Sequence, residues 1–433
     1  MASDDGKLSL VGSVSLGTGV MIGAGIFALV GQVSELAGNL MPLAFLAGAV
    51  IVGFSAYSYI RYSDTNPSSG GIAMLLKAAY GPGAIAGTFS LFMYVSMVVA
   101  QSLLARTFGT YALRPFGLED SLVLVPLLGV VVIVVAALVN LVGTEWVERS
   151  ATVTAALKIL GIAALAIGGI VAAGPSSMFD FASDNGGSSD QGLLGFLAGT
   201  TLCILAYKGF TTITNQGGEI AEPKRNLSRS ITISIVLCAV LYLLLTVAVA
   251  GSLSVGEIVE ARDYALAAAA EPLFGSWGVG LTIALAVVAT FSGLLASIYS
   301  VSRLYDMLRD MGQAPGLPAR VRHQSLVVTA GLAIVLTTFL DLAQIASMGA
   351  ILYLAMDIAI HWGVIRYLRS DIDARPAIPA IAIVLDVVVL GAFVAVKARD
   401  DVLTLGVSLG VAALIALSQV IVAHHADHAD QET

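Results

Sequence analysis

Apolar stretches of about 20 residues recur from one end of this 433-residue chain to the other, separated by short polar breaks. Each is long enough to cross a hydrocarbon core of about 30 Å. A segment in that solvent must satisfy its own backbone hydrogen bonds, which leaves α-helices or a closed β-barrel. A barrel would need short strands of alternating polarity, and the sequence has none. Charged residues make up 12% of the chain, against roughly a quarter in a soluble domain. The expected fold is therefore an all-α polytopic membrane protein of about twelve transmembrane helices.

Lysine and arginine set the orientation. With the N-terminus inside, 14 of the 21 Lys and Arg fall in cytoplasmic segments and 4 outside, so both termini are expected in the cytoplasm of a multi-pass cell-membrane protein. The N-terminus lacks the features of a cleaved secretory signal. No basic tract suits nucleic acid. Cys203 and Cys238 lie in apolar segments and read as buried small side chains. No cofactor or metal is called for; the histidines of the tail, residues 424–433, read as a polar end.

Two of the apolar stretches are poor continuous helices. Residues 11–31 carry Gly12, Gly17, Gly19, Gly23, Gly25 and Gly31, and glycine costs a helix roughly 1 kcal/mol relative to alanine. Residues 192–215 contain Ala206-Tyr207-Lys208-Gly209-Phe210. Glycines of this kind also serve close helix packing. Their placement five spans apart, on segments of opposite direction, points instead to two interrupted helices around a ligand site. The expected organisation is a 5+5 inverted repeat, 8–173 and 192–367, with accessory helices over 377–423.

Several motifs together resemble the amino acid–polyamine–organocation (APC) superfamily of transporters across roughly residues 8–375. They are Gly23-Ala24-Gly25-Ile26-Phe27, Pro67-Ser68-Ser69-Gly70-Gly71, Asn140-Leu141-Val142-Gly143, Tyr207-Lys208-Gly209-Phe210, Gly218-Glu219-Ile220-Ala221-Glu222-Pro223-Lys224-Arg225-Asn226, Ser302-Arg303, and Arg309-Asp310-Met311-Gly312. Within the superfamily the chain is most similar to archaeal proton-coupled, broad-specificity amino-acid transporters. The resemblance implies a LeuT-like fold with unwound helices one and six.

An amino acid is a zwitterion, so its site must offer donors to the carboxylate and acceptors to the ammonium. A break at Gly23, Ala24 and Gly25 would present N–H groups at a helix N-terminus, which favours an anion through hydrogen bonds and dipole together. By the resemblance, the Met21 carbonyl accepts from the ammonium. Leu205 and Lys208 would add carbonyls, with Ile22 and Ala206 lining the breaks. Tyr207 and Phe210 would read the side chain; Tyr94 reads better as packing. No acidic residue sits beside either break, which favours neutral substrates.

Lys158 is the sharpest chemical clue. It lies about nine residues beyond Arg149, roughly 13 Å into its helix. An ammonium that deep costs several kcal/mol unless it is paired, neutralised or functional; otherwise it snorkels to the interface. The resemblance implies a tethered cation that touches a span-one carbonyl, mapped to Gly19, and a span-eight hydroxyl, mapped to Ser292. Lys208 departs from the family pattern, with substrate contact, a second titrating site and snorkelling all open. Asp357 and His361, i and i+4 on one helix, could pair structurally or relay protons, and Asp386 has no assigned role. The sequence thus reads as a secondary active transporter, not an enzyme, taking amino acids with protons. The alternatives are an exchanger or a transporter-like receptor.

Overall fold

The computed structural model describes residues 7–66, 71–142, 144–174, 192–318 and 320–431. Pro67-Ser68-Ser69-Gly70, Gly143 and residues 175–191 lie outside these residues. The described chain is helical almost throughout, with one isolated β-bridge, Leu8 to Ile220. In order the helices are α1 (Leu10–Val20), α2 (Phe27–Ala37), α3 (Met41–Thr65), α4 (Gly71–Tyr80), α5 (Ala84–Leu113), α6 (Leu124–Val142), α7 (Thr144–Ala173) and α8 (Gly192–Tyr207). They continue with α9 (Phe210–Asn215), α10 (Pro223–Ala250), α11 (Val255–Glu260), α12 (Ala265–Asp310), α13 (Gln324–Phe339), α14 (Leu342–Gly363), α15 (Ala377–Asp400) and α16 (Val402–Gln431).

Among the described residues, ten helical stretches are long and apolar enough to cross a membrane. The difference from twelve has two causes. A 3-10 turn at Gly38–Leu40 joins α2 and α3 into one long stretch, and α13 has 16 residues. α5, α8 and α14 are the most enclosed, whereas α6, α7, α15 and α16 present most of their surface outward. On α6 the exposed residues Leu127, Val131, Val134 and Leu138 recur at helical spacing. Such an apolar outer stripe suits lipid and would be a liability in water.

The interruptions take different forms. Between α1 and α2 the chain does not unwind: Met21–Ile26 widens into a π-helical turn whose flanking residues keep right-handed helical dihedrals. Between α8 and α9 the helix does stop, with a turn at Lys208 and Gly209 before Phe210 restarts it. The two interruptions abut. A Cβ at Gly209 would lie 2.8 Å from the Met21 nitrogen, and one at Gly25 would lie 2.9 Å from the Ala206 carbonyl oxygen. Glycine is required at both contacts because each neighbouring atom is backbone.

Both ends of the helix-one segment are clamped. At its start, the Leu8 N–H donates to Glu219 O at 2.8 Å, and the Ala221 N–H donates to Leu8 O at 2.9 Å. The Glu219 carboxylate meanwhile accepts from the Tyr299 hydroxyl at 3.3 Å and lies 3.5 Å from the Arg303 guanidinium. At the far end, Gln32 donates to Asp263 at 3.2 Å and Arg262 pairs with Glu35 at 3.2 Å. A Cβ at Gly31 would meet the Arg262 carbonyl oxygen at 2.2 Å. Backbone cannot retreat cheaply, so Gly31→Val is expected to cost about 1–3 kcal/mol. It should lower the melting temperature of the purified protein by several degrees. An unchanged melting curve would mean that this loop is not packed on α2.

Candidate functional site

The expected site residues converge at the crossing of the two interruptions. Met21, Ile22, Tyr207 and Phe210 are buried there. Gly23 is held on its open side by the next layer: a Cβ would lie 2.7 Å from the Ala289 carbonyl oxygen on α12 and 2.8 Å from Leu104 on α5. Gly25 faces α10 and α8: a Cβ would lie 2.7 Å from the Tyr242 hydroxyl on α10 and 2.8 Å from the Ala206 methyl on α8. The π-turn thus presents its glycine face directly to its neighbours. A small cavity beside it is lined in part by Val20, Leu205, Ala206, Lys208, Gly209 and Ser297. At about 20 Å³ it has room for roughly one water, so a bound amino acid requires these elements to separate.

The carbonyls differ in how far they are already used. That of Lys208 accepts from the Thr211 N–H at 2.9 Å and the Thr211 hydroxyl at 2.8 Å. That of Leu205 accepts one long bond, from the Lys208 N–H at 3.4 Å. Leu205 O is therefore the better acceptor for an incoming ammonium. Phe210 packs edge-on against Tyr59 of α3, with ring centroids 5.3 Å apart. Tyr207 lies against Tyr242 at 5.0 Å. Tyr94 turns away, its hydroxyl 3.1 Å from that of Thr329 and its ring against Tyr305, which is the packing role expected for it.

Tyr242 was not singled out by the sequence reading. Nothing local marks it, because it is one aromatic in the apolar α10 and only the fold brings it to Gly25. The buried Tyr207 hydroxyl lacks a hydrogen-bond partner, and the Tyr242 hydroxyl has no oxygen or nitrogen partner, only the weakly bonding Cys238 thiol beside it. A buried hydroxyl left unpaired is costly, and removing it is close to neutral or stabilising. Tyr242→Phe is therefore expected to leave thermal stability unchanged or raised, and to weaken amino-acid binding about five- to tenfold by calorimetry. Equal affinity in the variant would remove Tyr242 from the site.

Lys158 lies where the resemblance places it. It is 1% exposed, and its Nζ donates to the Gly19 carbonyl at 3.1 Å, just ahead of the π-turn that starts at Met21. The second expected contact differs. Ser292 donates to its own helix, to Val288 O at 2.7 Å and Ala289 O at 3.3 Å, the local bond that helical serines commonly form. The α12 residue that meets Gly19 is Gly293, where a Cβ would lie 3.1 Å from the Gly19 carbonyl oxygen.

Lys208 neither snorkels nor points at the π-turn. Its Nζ donates to the backbone carbonyl and hydroxyl of Ser96 on α5, at 2.5 and 2.6 Å, and lies 5.6 Å from the Tyr353 ring centre. The Ser96 hydroxyl donates onward to Gly349 O on α14 at 2.9 Å. Lys208 thus ties the end of α8 to two other helices. Among the described residues, neither buried lysine forms an ion pair; neutral oxygens hold both amines.

The family model for amino acid permeases matches residues 8–418. The chain belongs to the amino acid permease family. Its relatives include the inner membrane transport protein YbaT of Escherichia coli, 29% identical over 89% of each chain. An uncharacterised protein of Methanocaldococcus jannaschii, MJ0609, is 26% identical over 81% of this chain and 80% of its own. The serine/threonine exchanger SteT of Bacillus subtilis is 25% identical over 71% and 69%. The polytopic all-α architecture with two interrupted helices in contact is that expected of the APC superfamily, and this family carries amino acids across membranes.

Proposed function

We propose that this permease is a sodium-independent proton symporter of neutral amino acids, working by alternating access in the cell membrane with both termini in the cytoplasm. Residues 8–173 and 192–367 form its inverted repeats, and 377–423 are accessory. The observation that carries the reading is the Lys158 amine on the Gly19 carbonyl, one turn from the glycines that would receive the substrate carboxylate. The charged amine braces α7 against α1. Loss of its proton toward the cytoplasm leaves a weaker donor, loosens the brace and frees α1 to move. Substrate and proton then act on one short run of backbone, Gly19 to Gly25.

The preference for neutral substrates rests on charge. The lining of the cavity beside the π-turn includes Lys208 and no carboxylate. A second, unpaired cation at that depth would be penalised. Calorimetry with a panel of amino acids should give binding for small or apolar neutral ones and none for lysine or arginine. Tight binding of a cationic amino acid would refute this assignment. Exchange of one amino acid for another is the second reading, favoured by the likeness to a named serine/threonine exchanger.

A further inference from the structure

Outside the substrate region, three ionisable side chains meet in the membrane-embedded part of the fold. Asp357 and His361 stand one turn apart on α14, and Asp386 reaches them from the accessory helix α15. All three are fully buried. His361 Nε2 lies 3.6 Å from Asp357 Oδ1 and 3.8 Å from Asp386 Oδ2. Neither distance is a hydrogen bond. Nε2 and both Asp386 oxygens have no hydrogen-bond partner at all.

A structural Asp–His pair would close that gap, because an uncompensated carboxylate in an apolar interior costs several kcal/mol. Here the hydrogen bonds run to α3 instead. Ser55 donates to Asp357 Oδ2 at 2.6 Å, and the Tyr59 hydroxyl donates to Asp357 Oδ1. The Ser58 hydroxyl is 2.8 Å from His361 Nδ1. With the imidazole proton assigned to Nδ1, donating to Ser58, the Nε2 lone pair faces the two carboxylates. Outer donors that fix a histidine tautomer and orient a carboxylate are what metal ligands require.

We propose that Asp357, His361 and Asp386 bind a divalent transition-metal cation of zinc's size, enclosed where α15 docks on α14 and α3. One ligand atom from each residue lies within 4.8 Å of the others. With the two distances above, the point equidistant from all three is about 2.0–2.4 Å from each, close to the 2.0–2.2 Å of zinc–nitrogen and zinc–oxygen bonds. Charge agrees, since a dication neutralises two carboxylates beside a neutral imidazole, whereas a monovalent ion leaves a net negative charge buried. The mixed nitrogen and oxygen donors suit zinc and its first-row neighbours better than sodium or calcium. The third ligand arrives with α15, so the ion fastens the accessory helix to the transport core. Tyr59 carries the link onward, because its ring also packs against Phe210 at the helix-six interruption.

The test uses the full chain without an affinity histidine tag, produced in zinc-supplemented cells. His424, His425 and His428 are changed to glutamine to silence the tail. Elemental analysis should find about one zinc per chain, falling at least tenfold on Asp386→Asn or His361→Gln. X-ray absorption at the zinc edge of the unsubstituted cluster should show one imidazole with carboxylate oxygens, a readout that holds even if those variants fail to fold. No zinc in the parent protein, an unchanged content in properly folded variants, or a shell of several imidazoles would each overturn the proposal.

Discussion

Replacing Lys158 with alanine is expected to lower pH-gradient-driven amino-acid uptake by about ten- to hundredfold. The Lys158 amine holds the Gly19 carbonyl at 3.1 Å. A hydrogen bond from a charged group contributes roughly 1.5–3 kcal/mol, and about 1.4 kcal/mol is a factor of ten in rate. Lys158→Gln separates the two jobs of the side chain. Its amide can still donate to Gly19 but cannot exchange a proton at working pH. Transport into proteoliposomes by Lys158→Gln should therefore persist with amino acid on both sides while losing its response to an imposed pH gradient. A Lys158→Ala protein with the parent's pH-driven rate would remove the lysine from the coupling step.

Gly25→Ala is expected to abolish measurable substrate binding. The added methyl would sit 2.7 Å from the Tyr242 hydroxyl, 2.8 Å from the Ala206 methyl and 2.9 Å from the Ala206 carbonyl oxygen. Overpacking of this kind costs about 1–3 kcal/mol before any ligand is considered. The methyl also takes up the face from which a carboxylate would approach the π-turn. Tyr242→Phe removes the nearest of the three atoms and leaves the other two. The double variant should therefore recover folding, measured as melting temperature, more fully than it recovers affinity. Full binding by Gly25→Ala alone would show that the substrate lies elsewhere.

How much of this could be read from residue order differs from element to element. The helix-six interruption was legible because Gly209 weakens its helix locally. The contact of Lys158 with Gly19 followed from a family likeness together with the cost of an amine at that depth. The form of the helix-one interruption was not legible. Gly23 and Gly25 permit unwinding, but Ala289, Leu104 and Ala206 press on them from other helices, and the chain answers with a π-turn. Ser292 misled because a helical hydroxyl has a carbonyl of its own within reach. Lys208 was ambiguous because its partner, Ser96, is 112 positions away. Asp386 drew no assignment for the same reason: it stands 25 residues beyond His361 and meets it only through helix packing.

The proposed coupling has a proton on Lys158 and an amino acid at Gly23–Gly25 drive one transport cycle. It is tested most directly by uptake of a neutral amino acid into proteoliposomes under three separate conditions: an inward pH gradient, an inward sodium gradient, and preloaded unlabelled substrate without either. The pH gradient should give accumulation above equilibrium in empty vesicles, and sodium should give none. Uptake that requires preloaded amino acid and ignores the pH gradient would contradict the claim and identify the protein as an exchanger.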